Sequence, residues 1–167
     1  MFTLLKVAAV ILVAIAMGLA LAHALELPGK LRLPRETYKS VQPIYYPGFT
    51  IGGALGEGGG MVALLLLILV TPPATAPFWL AVGAFLALAG MHAIYWLLTH
   101  PVNNFWLTNA QLSPAAASFF RARASDSDDA DADWTVLRDQ WEYSHVIRAA
   151  LGLVSLTLLM ELATVDA

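Results

Sequence analysis

The sequence predicts an all-α, integral membrane up-down four-helix bundle, on three observations. The composition is 59% hydrophobic and only 13% charged, with a mean hydropathy of +0.68, far more apolar than a soluble domain of 167 residues. Four apolar runs each hold about twenty residues, the length that crosses roughly 30 Å of hydrocarbon at about 1.5 Å per residue. Short connections such as "TPPATAP" force neighbouring spans to run antiparallel. The whole chain, residues 1–167, reads as a single membrane domain.

The first span is expected over residues 2–25. Its end, "LALAHALELPGK", contains a small-residue motif resembling a signal-peptidase site. A signal core holds about 7–15 residues, whereas this run stays apolar from Val7 to Leu25, so it reads as a retained span. The connection after it carries Lys30, Arg32, Arg35 and Lys39, simplest as topology determinants facing lipid headgroups.

The second span, residues 47–70, is "PGFTIGGALGEGGGMVALLLLILV". Gly48, Gly52, Gly56 and Gly60 recur every four residues, a stripe that lets another helix approach closely. Within the same chain or, through Gly52, Gly56 and Gly60, between chains, such a stripe makes helix–helix contact. Glu57 borders the stripe roughly 15 Å along the span.

The third span covers residues 78–99 and places His92, Trp96 and His100 four apart. The connection after it holds Arg121, Arg123 and Arg138 and an acidic tract over residues 124–133, expected as a flexible loop. The fourth span, residues 143–164, follows a face that aligns Arg138, Trp141, His145, Arg148 or Ala149, and Gly152.

The Lys and Arg distribution puts the two longer connections in the cytoplasm and both termini outside, which fits a cell inner membrane. All four histidines then lie towards the cytoplasmic end, and Glu57 matches the depth of His92. Ionisable groups inside hydrocarbon are costly and face protein partners. A polar pocket is therefore expected in the cytoplasmic half, lined by Glu57, His92, His23, His145 and Arg148, with the glycines leaving room for a ligand. Glu57 is expected to be held by a histidine or by Arg148, or to be protonated.

Plainer readings exist for several of these residues. Interfacial solvation accounts for His100 and Glu142, and helix-to-helix hydrogen bonding competes with site chemistry at His23 and His145. Tyr45, Tyr46, Trp79 and Trp106 read as interfacial anchors.

With no cysteine, thiolate chemistry is excluded, and neither a phosphate loop nor a basic aromatic surface points to nucleic acid. Membrane lipid and a small lipophilic substrate are the expected partners. Glu142-x-x-His145 has the spacing used by di-iron bundles, but a full set needs two such helices and two further glutamates. Iron, copper or haem held by His23, His92, His145 and Glu142 is the alternative to a site without a cofactor.

Two segments carry a family resemblance. "HPVNNFWL" and "LRDQWEYSHVIRAALGL" make the chain resemble the anthrone-oxygenase-like family of small four-helix membrane proteins, at Pro101, Val102, Asn103, Arg138, Trp141, His145 and Arg148. "AHALELPGK" and "QPIYYPGF" look like a bacterial branch of that family. The resemblance implies oxidation of an anthrone to an anthraquinone by molecular oxygen, without metal or organic cofactor. In that scheme His92 or Glu57 is the base, Arg148 or Asn103 steadies the oxyanion, and Trp96 and Trp141 flank the ring. Two other classes stand beside it. A transporter component would use the intramembrane charge, although no inverted repeat is evident, and a non-catalytic subunit would use the glycine stripe to bind another protein.

Overall fold

Every described element is helical, a form that satisfies the backbone donors and acceptors of an apolar chain locally. The computed structural model describes residues 2–107, 118 and 133–165. Arg121, Arg123 and the acidic tract, save Asp133, lie outside the described residues. The long helices are α1 (Phe2–Lys30), α3 (Gly48–Val70), α4 (Ala76–Leu107) and α5 (Trp134–Thr164), and each is long and apolar enough to cross a membrane. A short helix, α2 (Arg35–Val41), and a 3₁₀ turn, Gln42–Tyr45, connect α1 to α3.

Three helices overrun their predicted spans, all at the end where the polar residues gather. α1 continues to Lys30 despite Pro28, which costs one backbone bond close to a terminus already short of partners. α5 begins at Trp134, where Asp133 accepts a hydrogen bond from the Thr135 N–H at 2.9 Å and caps the helix. That hydrogen bonding holds the exposed Asp133 carboxyl below its usual pKa, favouring the charged cap. α4 runs on through Pro101 to Leu107.

Both middle helices widen into a π turn, at Ala54–Gly58 in α3 and Tyr95–Thr99 in α4. In α3 the wide turn falls in the glycine-rich stretch, where few side chains resist it. In α4 it sits just before Pro101, whose ring cannot supply the next N–H. Gln140 Nε2 donates to the Leu98 carbonyl at 3.0 Å, giving a carbonyl of that turn a partner from α5.

α1 and α4 each pack against both α3 and α5. Lys6 Nζ donates to the Val165 carbonyl at 3.0 Å at one end, and Lys30 lies 3.5 Å from Glu142 at the other. The approach promised by the glycine stripe is made within the chain. A Cβ on Gly56 would lie 2.7 Å from the Ala16 nitrogen and 3.0 Å from the Leu12 carbonyl, so only hydrogen fits there.

Two cores result. Val13, Leu64, Leu67, Leu88 and Leu159 fill the half that holds Lys6 and Val165, hereafter the apolar half. Tyr38, Tyr45, Trp106 and Trp141 close the opposite, polar half. Of the expected anchors, only Trp79 is exposed: Tyr45 and Trp106 are buried and Tyr46 is half-buried, because the 3₁₀ turn and the end of α4 fold over the helix ends instead of facing lipid.

Candidate functional site

The site forms where the two π turns face α1 and α5. Glu57 comes from the π turn of α3, His92 from the turn before the π turn of α4, His23 from α1, and His145 and Arg148 from successive turns of α5. These five residues line one cavity of about 290 Å³, together with Trp96, Asn103 and Trp141. Every residue expected to line the pocket or to act in the anthrone scheme therefore borders the same space.

Glu57 is the anchor. Its Oε1 accepts from Arg148 Nη2, and its Oε2 accepts from His92 Nδ1 at 2.9 Å. The carboxylate and guanidinium are both buried, so each supplies the charge that makes the other tolerable away from water. Arg148 also lies over the Tyr95 ring at 5.2 Å, and its Nε is buried without a hydrogen-bond partner among the described residues.

Hydrogen-bond chemistry fixes several proton positions. Trp96 Nε1 can only donate, and it donates to His92 Nε2 at 2.8 Å. His92 is thus arranged as an Nδ1–H donor to Glu57 with its other nitrogen covered. Its side chain is 38% exposed, placing this pair at the rim of the cavity. On α5, the Trp141 carbonyl can only accept, and His145 Nδ1 lies 2.8 Å from it. His145 Nε2 is left with its lone pair and with no hydrogen-bond partner among the described residues.

The deeper wall is aromatic. His145 lies 4.1 Å from the Trp141 ring and 4.3 Å from the His23 ring, centroid to centroid. Trp141 Nε1 and the Tyr46 hydroxyl both donate to Asn103 Oδ1, at 3.0 and 3.1 Å. Asn103 is therefore the clamp that holds the indole and phenol in the wall. Burial raises the Tyr46 pKa, so its hydroxyl is kept as a donor.

Behind His23 is a second polar cluster. Lys30 is buried, 3.0 Å from Glu26 and 3.5 Å from Glu142, with its ammonium 4.5 Å above the Tyr45 ring. The Tyr38 and Tyr45 hydroxyls donate to Glu142 and Glu26 at 2.7 and 2.6 Å. Burial, reinforced by those carboxylates, pushes both phenols far above their usual pKa and keeps them protonated. Lys30 was expected among headgroups, and that expectation is overturned. The positive-inside rule registers its charge but not its direction, which the two carboxylates reverse.

The alternative metal-ligand set does not assemble as one. His23 and His145 adjoin, but His92 is bonded to Glu57, and Glu142 to Tyr38 and Lys30. Among the described residues, no three His, Asp or Glu side chains are grouped to hold a metal ion.

No family model, curated protein or solved structure matches the chain.

Proposed function

We propose that this chain is an integral membrane oxidoreductase of the anthrone-oxygenase-like kind, acting on a lipophilic aromatic or quinone-like compound. In this reading the four long helices form an up-down bundle in a cell inner membrane. The cavity is at the cytoplasmic side, and both termini are outside.

The supporting observation is an aromatic-walled cavity bordered by His145, whose Nε2 has no hydrogen-bond partner among the described residues, and by the buried Glu57–Arg148 pair. Glu57 and His92 were the first candidates for the base, but both Glu57 oxygens already accept hydrogen bonds and His92 Nε2 is covered by Trp96. The base is then His145, with Glu57, itself bonded to His92, setting the position of Arg148.

The chemistry balances with oxygen as the only co-reactant. His145 Nε2 takes a proton from the methylene carbon between two aryl rings, leaving an electron-rich carbanion. That carbon is oxidised as it forms a bond to oxygen, which is reduced to the peroxide level and protonated. Loss of the second carbon-bound proton breaks the O–O bond, giving a ketone and hydroxide, which is protonated to water. The sum is anthrone plus oxygen to anthraquinone plus water. Arg148 steadies the oxyanion, and Trp141 stacks on the ring system.

The test is oxygen uptake and anthraquinone formation by protein purified in mild detergent. One oxygen per anthrone is expected, with a loss on the order of 10²-fold or more in His145→Gln. Equal rates in the unaltered and His145→Gln proteins would remove this reading.

A further inference from the structure

We propose that Lys30 is a positioning residue that fixes His23 as an N–H donor beside the acceptor His145, giving the cavity a matched pair of imidazoles. The catalytic consequence rests on the oxidoreductase reading, whereas the pairing itself rests on bonding geometry.

A neutral imidazole has one N–H and one lone pair, so the partner of one nitrogen decides the state of the other. His145 Nδ1 faces the Trp141 carbonyl at 2.8 Å and must carry its proton there, which leaves Nε2 as an acceptor. His23 Nδ1 faces Lys30 Nζ at 3.5 Å. An ammonium has donors only, so this nitrogen holds the lone pair and His23 Nε2 carries the proton. The competing acceptor, Glu26 Oε2, is farther from the same nitrogen at 3.8 Å and is already engaged by Lys30 and Tyr45.

Lys30 is held in this position from several sides. Glu26 and Glu142 flank its ammonium, and it lies over the Tyr45 and Trp141 rings at 4.5 and 4.8 Å. The two imidazoles touch, 4.3 Å between centroids, and both border the cavity. A ligand between them meets one acceptor and one donor. During turnover His145 accepts the proton that the substrate carbon loses, while His23 Nε2–H bonds the oxygen on which the resulting charge collects.

The experiment is nitrogen-15 NMR of histidine-labelled protein in detergent, with His23→Gln and His145→Gln variants assigning the signals. The proposal expects opposite tautomers in the unaltered protein, with His145 protonated at Nδ1 and His23 at Nε2. Lys30→Met should shift His23 towards the Nδ1–H form while leaving His145 unchanged, and Lys30→Arg, which still donates, should preserve the original pattern. Should Lys30→Met not fold, the unaltered spectrum decides alone. Matching tautomers, an imidazolium at either position, or Nδ1–H at His23 would overturn the pairing.

Turnover adds an independent axis. Lys30→Met is expected to lower kcat on the order of 10²-fold with KM little changed, and Lys30→Arg to recover most of it. Opposite tautomers without anthrone turnover would sink the oxidoreductase reading alone. Turnover with matching tautomers would sink this inference alone.

Discussion

The two halves of this molecule are packed from different materials. In the apolar half, leucines such as Leu64, Leu67, Leu88 and Leu159 are fully buried, the Ser155 hydroxyl reaches across from α5 to the Ala84 carbonyl, and Lys6 bonds the Val165 carbonyl at its edge. The polar half contains both π turns, the cavity and the buried charges Glu57, Arg148, Lys30 and Glu142. Burying charges costs desolvation that their attraction does not reliably repay, and wide helical turns recur at functional sites. The contrast teaches that cohesion and chemistry are divided along the helices: the apolar half holds them together and lets the polar half keep groups that packing alone would reject.

Glu57→Leu breaks that division most severely. It leaves the Arg148 guanidinium buried and uncompensated, and we expect a loss of about 3–5 kcal/mol in detergent unfolding. Glu57→Leu combined with Arg148→Met should regain most of that stability without regaining turnover. A single variant costing less than about 1 kcal/mol would mean that the pair is solvated and the halves are not distinct in this respect.

A pair of glycines gives the next largest difference. Gly56→Ala, in the π turn, drives a methyl into the backbone of Ala16 and Leu12, and overpacking of this kind costs about 1–3 kcal/mol. Gly83→Ala, in the apolar half, meets only the end of the Leu158 side chain at 3.1 Å. That chain can turn aside, and alanine adds up to about 1 kcal/mol of helix propensity, so this variant should be neutral or slightly more stable. Comparable losses from both would show that close backbone approach is not a special feature of the polar half.

How much of this was legible in the sequence differs between the halves for the same reason. Hydropathy and run length locate the four long helices, because lipid imposes one simple demand on every turn. The matching depth of Glu57 and His92 was legible, and the small-residue spacing turned Glu57 inward, but its partner was left open between a histidine and Arg148, and the structure has it bonded to both His92 and Arg148. Rotamers and connections were not legible. Lys30 and Tyr45 sit in or beside a connection whose composition suggests a headgroup surface, yet α1 runs on far enough to bring Lys30 back to His23 on the same helix, and the 3₁₀ turn folds Tyr45 over it. The π turns also escape a four-residue periodicity, since each adds a residue to one turn while leaving the residues on either side helical. His145 was visible as a polar residue, but its selection as base required seeing that Trp96 covers His92.

The smallest predicted effect separates the halves most cleanly, because it removes the same hydroxyl from each. Ser155→Ala deletes the bond to the Ala84 carbonyl and should cost about 0.6 kcal/mol, the average for hydrogen bonds between helices in a membrane, with no effect on turnover. Ser144→Ala should cost about the same in stability. Its hydroxyl, however, donates to the Trp141 carbonyl at 2.6 Å, the same carbonyl that accepts His145 Nδ1–H, so its single proton is spent there. Thr99 Oγ1, 2.7 Å from Ser144 Oγ, must then be the donor in their contact, which links the π turn of α4 to the setting of His145. Removing Ser144 should sharpen the His145 bond to the Trp141 carbonyl, release Thr99, and change kcat by a measurable factor at nearly constant unfolding energy. Equal stability losses with turnover altered only in Ser144→Ala would locate the chemistry in the polar half, whereas unchanged turnover in both would detach His145 from it.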